Sequence, residues 1–119
     1  MSKKINNDQT YKIMTKEIEF RTEKFIVAEK DLGAFKWNEL IGNIPKGWLL
    51  PTLDQQLLMY VNREELNLEG RYWTSRQFDS DPYKYTAWYV NHDTGLVSTM
   101  NKNQRLNVRL IKHVPYGRI

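Results

Sequence analysis

Cysteine is absent from the 119 residues of this chain. That excludes disulfides, thiolate nucleophiles and thiolate-held zinc. Histidine is scarce as well, with only His92 and His113. Neither has an acidic partner at a fixed spacing, so the expected state of both is exposed or singly hydrogen-bonded. No apolar run approaches the roughly 20 residues a membrane helix requires. No P-loop, nucleophile elbow, dinucleotide-binding glycine turn or H-E-x-x-H pattern occurs. No repeat or low-complexity tract appears. The opening Met-Ser-Lys-Lys-Ile-Asn-Asn-Asp has no apolar h-region, so no signal peptide is expected. The expected compartment is the cytoplasm of a bacterium or phage-infected cell; a processed secreted fragment is the alternative.

Aromatic residues are plentiful, with 4 Trp, 7 Tyr and 4 Phe, and the hydrophobic fraction is 40%. That is enough for a core in one domain. Residues 1–9 are polar and expected to be flexible, leaving 10–119 as a single domain. Charge is nearly balanced, with 18 basic and 14 acidic residues and a net +4. Such a surplus permits an acidic partner without requiring one. Basic residues Lys3, Lys4, Lys12, Lys16, Arg21, Lys24 and Lys30 crowd the first third, but Glu17, Glu19, Glu23 and Glu29 alternate with them, as on a solvated sheet face. Lys102, Arg105, Arg109, Lys112 and Arg118 form a second cluster with few acids.

Hydrophobic period divides the chain. Alternation predicts short strands near 10–14, 17–21 and 24–29. Phe35, Trp37, Leu40, Ile41 and Ile44 suggest a short amphipathic helix over 34–43. Gly47-Trp48-Leu49-Leu50-Pro51-Thr52 is a turn, an apolar knot and a helix cap in succession. Thr52 and Gln55 fit a capping box, and Leu53, Leu57, Tyr60 and Val61 form a helical stripe that extends as far as Glu65. The second half alternates strand and turn: Arg71-Tyr72-Trp73-Thr74-Ser75, residues 86–91, 96–100 and 106–111. Hairpin turns between the runs predict an antiparallel meander. The fold class is α+β, with two helices.

The order of these motifs resembles a bacterial domain group: the C-terminal domain of the Legionella collagen-like protein and the Fibrobacter succinogenes major paralogous domain. Their pattern reads G-W-R-L-P-T, a helix, Y-W-S-S, A-W, a turn glycine and V-R-x-V-R. Here Gly47–Thr52, Tyr72-Trp73-Thr74-Ser75, Ala87-Trp88, Gly95 and Val108-Arg109-Leu110-Ile111-Lys112 match it, across about residues 35–112. Leu49 replaces the family arginine, and Gln55-Gln56 replace a glutamate and an apolar residue. The resemblance implies a compact C-type-lectin-like single domain of the formylglycine-generating-enzyme type. The cysteine chemistry of those enzymes cannot be inherited. Trp48, Leu50, Pro51, Tyr72, Trp73, Trp88 and Arg109 are the implied structural motif. Trp48, Trp73 and Trp88 are expected in one aromatic core, and Arg109 as an anchor for a carbonyl or carboxylate.

Asp93-Thr94-Gly95 matches the D-T-G triplet of retroviral-type aspartic proteases. Asn91-His92 precede it where apolar residues belong, and no Gly-Arg-Asp or Gly-Arg-Asn run follows, so a hairpin turn accounts for it. Asp79 and Asp81 supply too few oxygens for calcium. No cofactor, metal or catalytic residue is assigned. The expectation is a non-enzymatic binding module whose later loops carry recognition. Arg76, Asp79, Asp81, Tyr83, Tyr85, Asn101, Asn103 and Arg105 are the candidate contacts. A protein is the first choice of partner, as for a bacterial protein or a phage-encoded modulator of a host factor, and a glycan is the second. Nucleic acid held by the basic surface is the alternative function, and a small hydrolase a more distant one.

Overall fold

The computed structural model describes residues 16–20 and 23–114. The strand expected at 10–14 and the tail at 1–9 lie outside them. Among the described residues the chain forms eight strands and two α-helices. Strands β1 (Lys16–Phe20) and β2 (Glu23–Val27) make a hairpin near the predicted places. Lys24 and Glu17 pair across it at 3.2 Å, consistent with a surface of interspersed charge.

The segment 34–43 is not the expected helix. Gly33–Lys36 is strand β3, followed by a single 3-10 turn at Trp37–Leu40. Phe35 faces Leu106 across an antiparallel ladder, and the Trp37 indole N–H donates to the Thr74 carbonyl at 2.9 Å. Tertiary pairing of an alternating pair, Phe35 and Trp37, overrides a weak helical spacing.

Helix α1 (Leu53–Val61) begins where the capping box places it. The Thr52 hydroxyl accepts the Gln55 N–H at 3.1 Å, and the Gln55 side-chain oxygen accepts the Thr52 N–H at 2.9 Å. The buried face is not the predicted stripe. Gln55, Gln56 and Met59 are buried, whereas Leu57 is exposed and Val61 is 74% exposed. Gln56 can be buried because its amide is satisfied, donating to the Trp73 carbonyl and bonding His92; a satisfied polar group can enter a core. After Asn62 a one-turn helix α2 (Arg63–Leu66) follows, ended by Asn67 in the left-handed region, which Asn tolerates.

Strands β4 (Arg71–Gln77), β5 (Thr86–Asn91) and β6 (Val97–Asn101) form the expected antiparallel meander. The meander stops there. Strand β7 (Arg105–Val108) crosses to the other side of β4 and pairs with it in parallel, giving the order β3-β7-β4-β5-β6. The run predicted as one strand over 106–111 is broken at Arg109-Leu110. Ile111–His113 forms β8, which joins β1 and β2 in a three-stranded sheet. Thus the chain changes sheets at Arg109.

The central knot ties the sheets together. Leu49 and Ile111 exchange both backbone hydrogen bonds, at 2.8 and 2.9 Å, and the Pro51 carbonyl accepts the Ser75 N–H at 2.8 Å. Two apolar clusters result. One gathers Ile18, Phe25, Val27, Met59, Tyr72 and Ile111. The other gathers Trp73, Ala87, Tyr89, Leu106 and Val108, with Trp48 and Leu50 packed against it. Trp88 does not join Trp48 and Trp73. It lies one residue out of phase with Ala87 and Tyr89, so it points to the opposite face of the sheet. There it meets Phe78 edge-on, ring centroids 5.7 Å apart. No helix among the described residues is long and apolar enough to cross a membrane.

Candidate functional site

The segment between β4 and β5 is tightly built for a loop. Asp81 holds it. One carboxylate oxygen accepts the Tyr83 N–H at 3.0 Å; the other accepts the Tyr85 N–H at 2.7 Å and the Thr86 hydroxyl at 3.4 Å. The Tyr83 N–H bond leads the causes that hold the Asp81 carboxyl below its ordinary range. Lys84 takes a left-handed conformation, φ 59°, and its ammonium reaches the Asp79 carbonyl at 3.1 Å. The product is a pair of stacked tyrosines. The Tyr83 and Tyr85 rings lie 5.5 Å apart with a 22° interplanar angle, and the residues are 71% and 61% exposed.

The structure sets this loop beside the 101–105 turn. Thr86 pairs with Asn101, and the Lys102 N–H donates to the Tyr85 carbonyl at 2.7 Å. Arg76 is exposed, its guanidinium 5.9 Å from the Trp88 ring centre. Asp79 is exposed. Asn101 folds back on its own turn, its side-chain oxygen accepting the Asn103 N–H at 2.8 Å. Asn103 is exposed on that turn. Arg105 pairs with Glu39 at 2.9 Å. Asp81 and Asn101 therefore serve as scaffold for the loops they were expected to help present.

The basic cluster of the second half is dispersed. Lys102 is buried, bonded to the Gln77 side-chain oxygen and lying 4.4 Å from the Trp37 ring centre. Desolvation lowers its ammonium from the ordinary value. Lys112 lies over the Trp48 ring at 4.8 Å. Arg109 is buried, with Nε 2.8 Å from the Asp31 carboxylate and Nη1 donating to the carbonyls of Ala28 at 3.1 Å and Leu66 at 2.9 Å. The Tyr72 hydroxyl donates to the same carboxylate at 2.9 Å, and burial first, then that bond, pushes its phenol up to about 12.

His92 is the polar centre that sequence reasoning missed. It is 1% exposed and packs edge-on against Tyr72, ring centroids 5.1 Å apart. Its Nε2 is 2.7 Å from the Gln56 side-chain oxygen. Because the Gln56 amide nitrogen donates to Trp73, that oxygen is an acceptor, and His92 must carry its proton on Nε2. Nδ1 is then a bare acceptor, buried and without a partner among the described residues. The available signal was a pair of adjacent glutamines, Gln55 and Gln56, at the start of a largely apolar helix. His113 is exposed and bonds Gln55 through Nε2 at 2.9 Å. The two histidines thus belong to different sites. No group of three or more potential metal ligands occurs among the described residues.

The His92 environment sets a pH dependence. Burial first, then the positive charges of Arg63 and Arg109, depresses the imidazole to about 4, with Asp93 and Asp31 opposing. In the unfolded chain it protonates near 6.5. Between these values the unfolded chain binds the extra proton, so this stabilisation is complete above pH 6.5 and lost as pH falls towards 4. The expected loss is on the order of 3 kcal/mol. Urea midpoints at pH 7 and 4.5 measure it. In His92→Gln the drop should be markedly shallower; an equal drop refutes the assignment.

Compared with known proteins, the chain matches no family model and no curated protein sequence.

Proposed function

We propose that this chain is a non-enzymatic binding module of C-type-lectin-like architecture that recognises a protein partner through the 76–85 loop and the adjoining 101–105 turn. One observation carries the reading: two exposed tyrosines, stacked on each other, on a loop locked by the Asp81 carboxylate. Leaving two large rings in water is unfavourable for a fold that gains nothing from them. Holding them rigid lowers the entropy lost on binding, because their geometry is already set. Aromatic anchors on a rigid platform are typical of interface hot spots. Arg76 and Trp88 supply a neighbouring guanidinium and half-buried ring at the root of the same loop. A host factor, for a phage-encoded chain, or an endogenous bacterial protein is the kind of partner this surface suits. The lectin-like architecture rests on the motif order from Gly47 to Lys112.

The test is affinity enrichment with the wild-type chain and a Tyr83→Ala/Tyr85→Ala variant. Both rings are exposed, so the urea midpoint should stay within about 0.5 kcal/mol of wild type. Recovery of a specific protein should fall on the order of 30-fold or more, as for loss of a hot spot. Undiminished recovery sinks the proposal. Recovery abolished by nuclease treatment points to nucleic acid instead, and recovery abolished by deglycosylation to a glycan.

A further inference from the structure

Among the described residues the two sheets end at four edges, β1, β8, β3 and β6. Three of them are engaged or charged. β3 is short, and its last two residues are occupied: the Lys36 N–H donates to Glu39 at 2.9 Å, and the Phe35 carbonyl accepts the Trp73 indole N–H at 2.8 Å. β8 is covered by Leu49, which bonds Ile111 in both directions. β1 carries Lys16, Glu17 and Glu19. Charges and covers of this kind keep an edge from pairing with another chain. β6 has neither. Its run Val97-Ser98-Thr99-Met100-Asn101 contains no charged residue, proline or glycine. The ladder to β5 fixes which way its backbone points. The Asn91 N–H donates to the Leu96 carbonyl at 2.8 Å, and the Lys102 N–H to the Tyr85 carbonyl at 2.7 Å. Hydrogen-bonded positions alternate along an antiparallel pair, so Ser98 and Met100 bond β5 opposite Tyr89 and Ala87. Val97, Thr99 and Asn101 therefore turn their N–H and C=O groups outward. Of these groups, only the Asn101 carbonyl has a backbone partner among the described residues, the Gln104 N–H at 3.0 Å.

We propose that β6 is a self-association edge: two copies of this chain pair antiparallel through it, about a two-fold axis at Thr99, and join their large sheets. In that register the Thr99 N–H of each copy donates to the Thr99 carbonyl of the other, and the Asn101 N–H donates to the partner's Val97 carbonyl. A second copy is the occupant because the edge is complementary to itself. Thr99 faces Thr99, Val97 faces Asn101 and Ser98 faces Met100, and cross-strand threonine pairs are favourable. A chain of net charge +4 thus meets its copy along a seam where no like charges are opposed. Leu96, 53% exposed, adds apolar area at each end. A seam of two five-residue strands falls below the roughly 1,200 Å² of stable complexes, so the association is weak, with a Kd on the order of 0.1–1 mM. Asn101 pairs with Thr86 beside the tyrosine loop, which sets one tyrosine pair at each end of the seam. That last consequence rests on the recognition reading above; the dimer itself does not.

The experiment follows the full chain by sedimentation velocity and by amide shifts across a dilution from about 1 mM to about 10 μM. The dimer fraction should fall on dilution, with shifts centred on Val97, Thr99 and Asn101. Thr99→Pro removes an outward N–H, a change that edge strands accommodate. Thr99→Lys sets like charges face to face across the axis. Each should raise the Kd on the order of tenfold or more. Thr99→Lys should keep the urea midpoint close to wild type, and it keeps the test valid if the proline variant is unstable. The Tyr83→Ala/Tyr85→Ala variant should dimerise as wild type does, so the two proposals fail separately. Three results overturn this one: a chain that stays monomeric at about 1 mM, a dimer undiminished in Thr99→Lys, or dilution shifts centred on another surface.

Discussion

Arg109→Met should lower stability by about 3 kcal/mol, the largest loss expected from any single charged residue in the described chain. Removing one partner of a buried pair typically costs about 3–5 kcal/mol, because the other groups lose their donor in place. The lower end applies here, since the Asp31 side chain is 35% exposed and water can reach part of it. The loss comes instead from the backbone groups that Arg109 satisfies. Its Nη1 serves carbonyls from two distant segments, Ala28 after β2 and Leu66 in α2. Both must then find donors at a point where the backbone changes sheets. A loss of this size shifts the thermal midpoint by roughly 12 °C or more in a domain of about 100 residues. Arg109→Lys should recover only part of it, because one ammonium cannot replace a guanidinium reaching three acceptors. Chemical denaturation of both variants is the check; a loss below about 1 kcal/mol for Arg109→Met would show that the network is dispensable.

Trp73→Ala should cost about 3–5 kcal/mol, the range for removing a large ring from a closed core. Trp73 is fully buried on β4, and its indole N–H donates to the Phe35 carbonyl at 2.8 Å. It therefore supports two strands at once, by filling space beneath one and bonding the edge of another. Trp73→Phe should lose less, about 1–3 kcal/mol, through the unmade hydrogen bond and a smaller void. Trp88→Ala is the informative comparison. Trp88 is only half-buried and faces Phe78 and Arg76, so its loss should fall at least about 1 kcal/mol below that of Trp73. Equal losses in urea denaturation would contradict the division of these tryptophans between opposite sheet faces.

These contrasts mark where the sequence was legible. Local chemistry was. Thr52 and Gln55 announced the cap of α1, and the aromatic, β-branched run at 86–91 announced β5 residue for residue. Asp93-Thr94-Gly95 announced a turn. What failed was anything requiring knowledge of a distant partner. The polarity of Gln56 hid its burial, because its two partners lie 17 and 36 positions away in sequence. For the same reason the apolar stripe pointed to the wrong face of α1. Phe35 read as helical until β7 arrived to pair with its strand, and Trp37 until its indole found the Thr74 carbonyl. Lys102 looked like surface charge, yet it is enclosed by Trp37 and Gln77. Of the candidate contacts, Tyr83 and Tyr85 emerged as one exposed pair, whereas Asp81 and Asn101 bond back to the backbone of their own loops.

The position of β7 governs when this molecule can form. The strand fills the place between β3 and β4, so the large sheet stays split until residues 105–108 have emerged. The small sheet waits longer still, for Ile111–His113 to reach β2. During synthesis at about 5–20 residues per second, the Gly33–Asn101 portion leaves the ribosome without the strand that unites its edges. Long-range pairing of this kind slows folding relative to local helical topologies. The nascent chain is therefore expected to remain open, with Trp73 and Phe35 unpaired, until synthesis has passed residue 113. Protection of either sheet should appear in one late step rather than build up strand by strand.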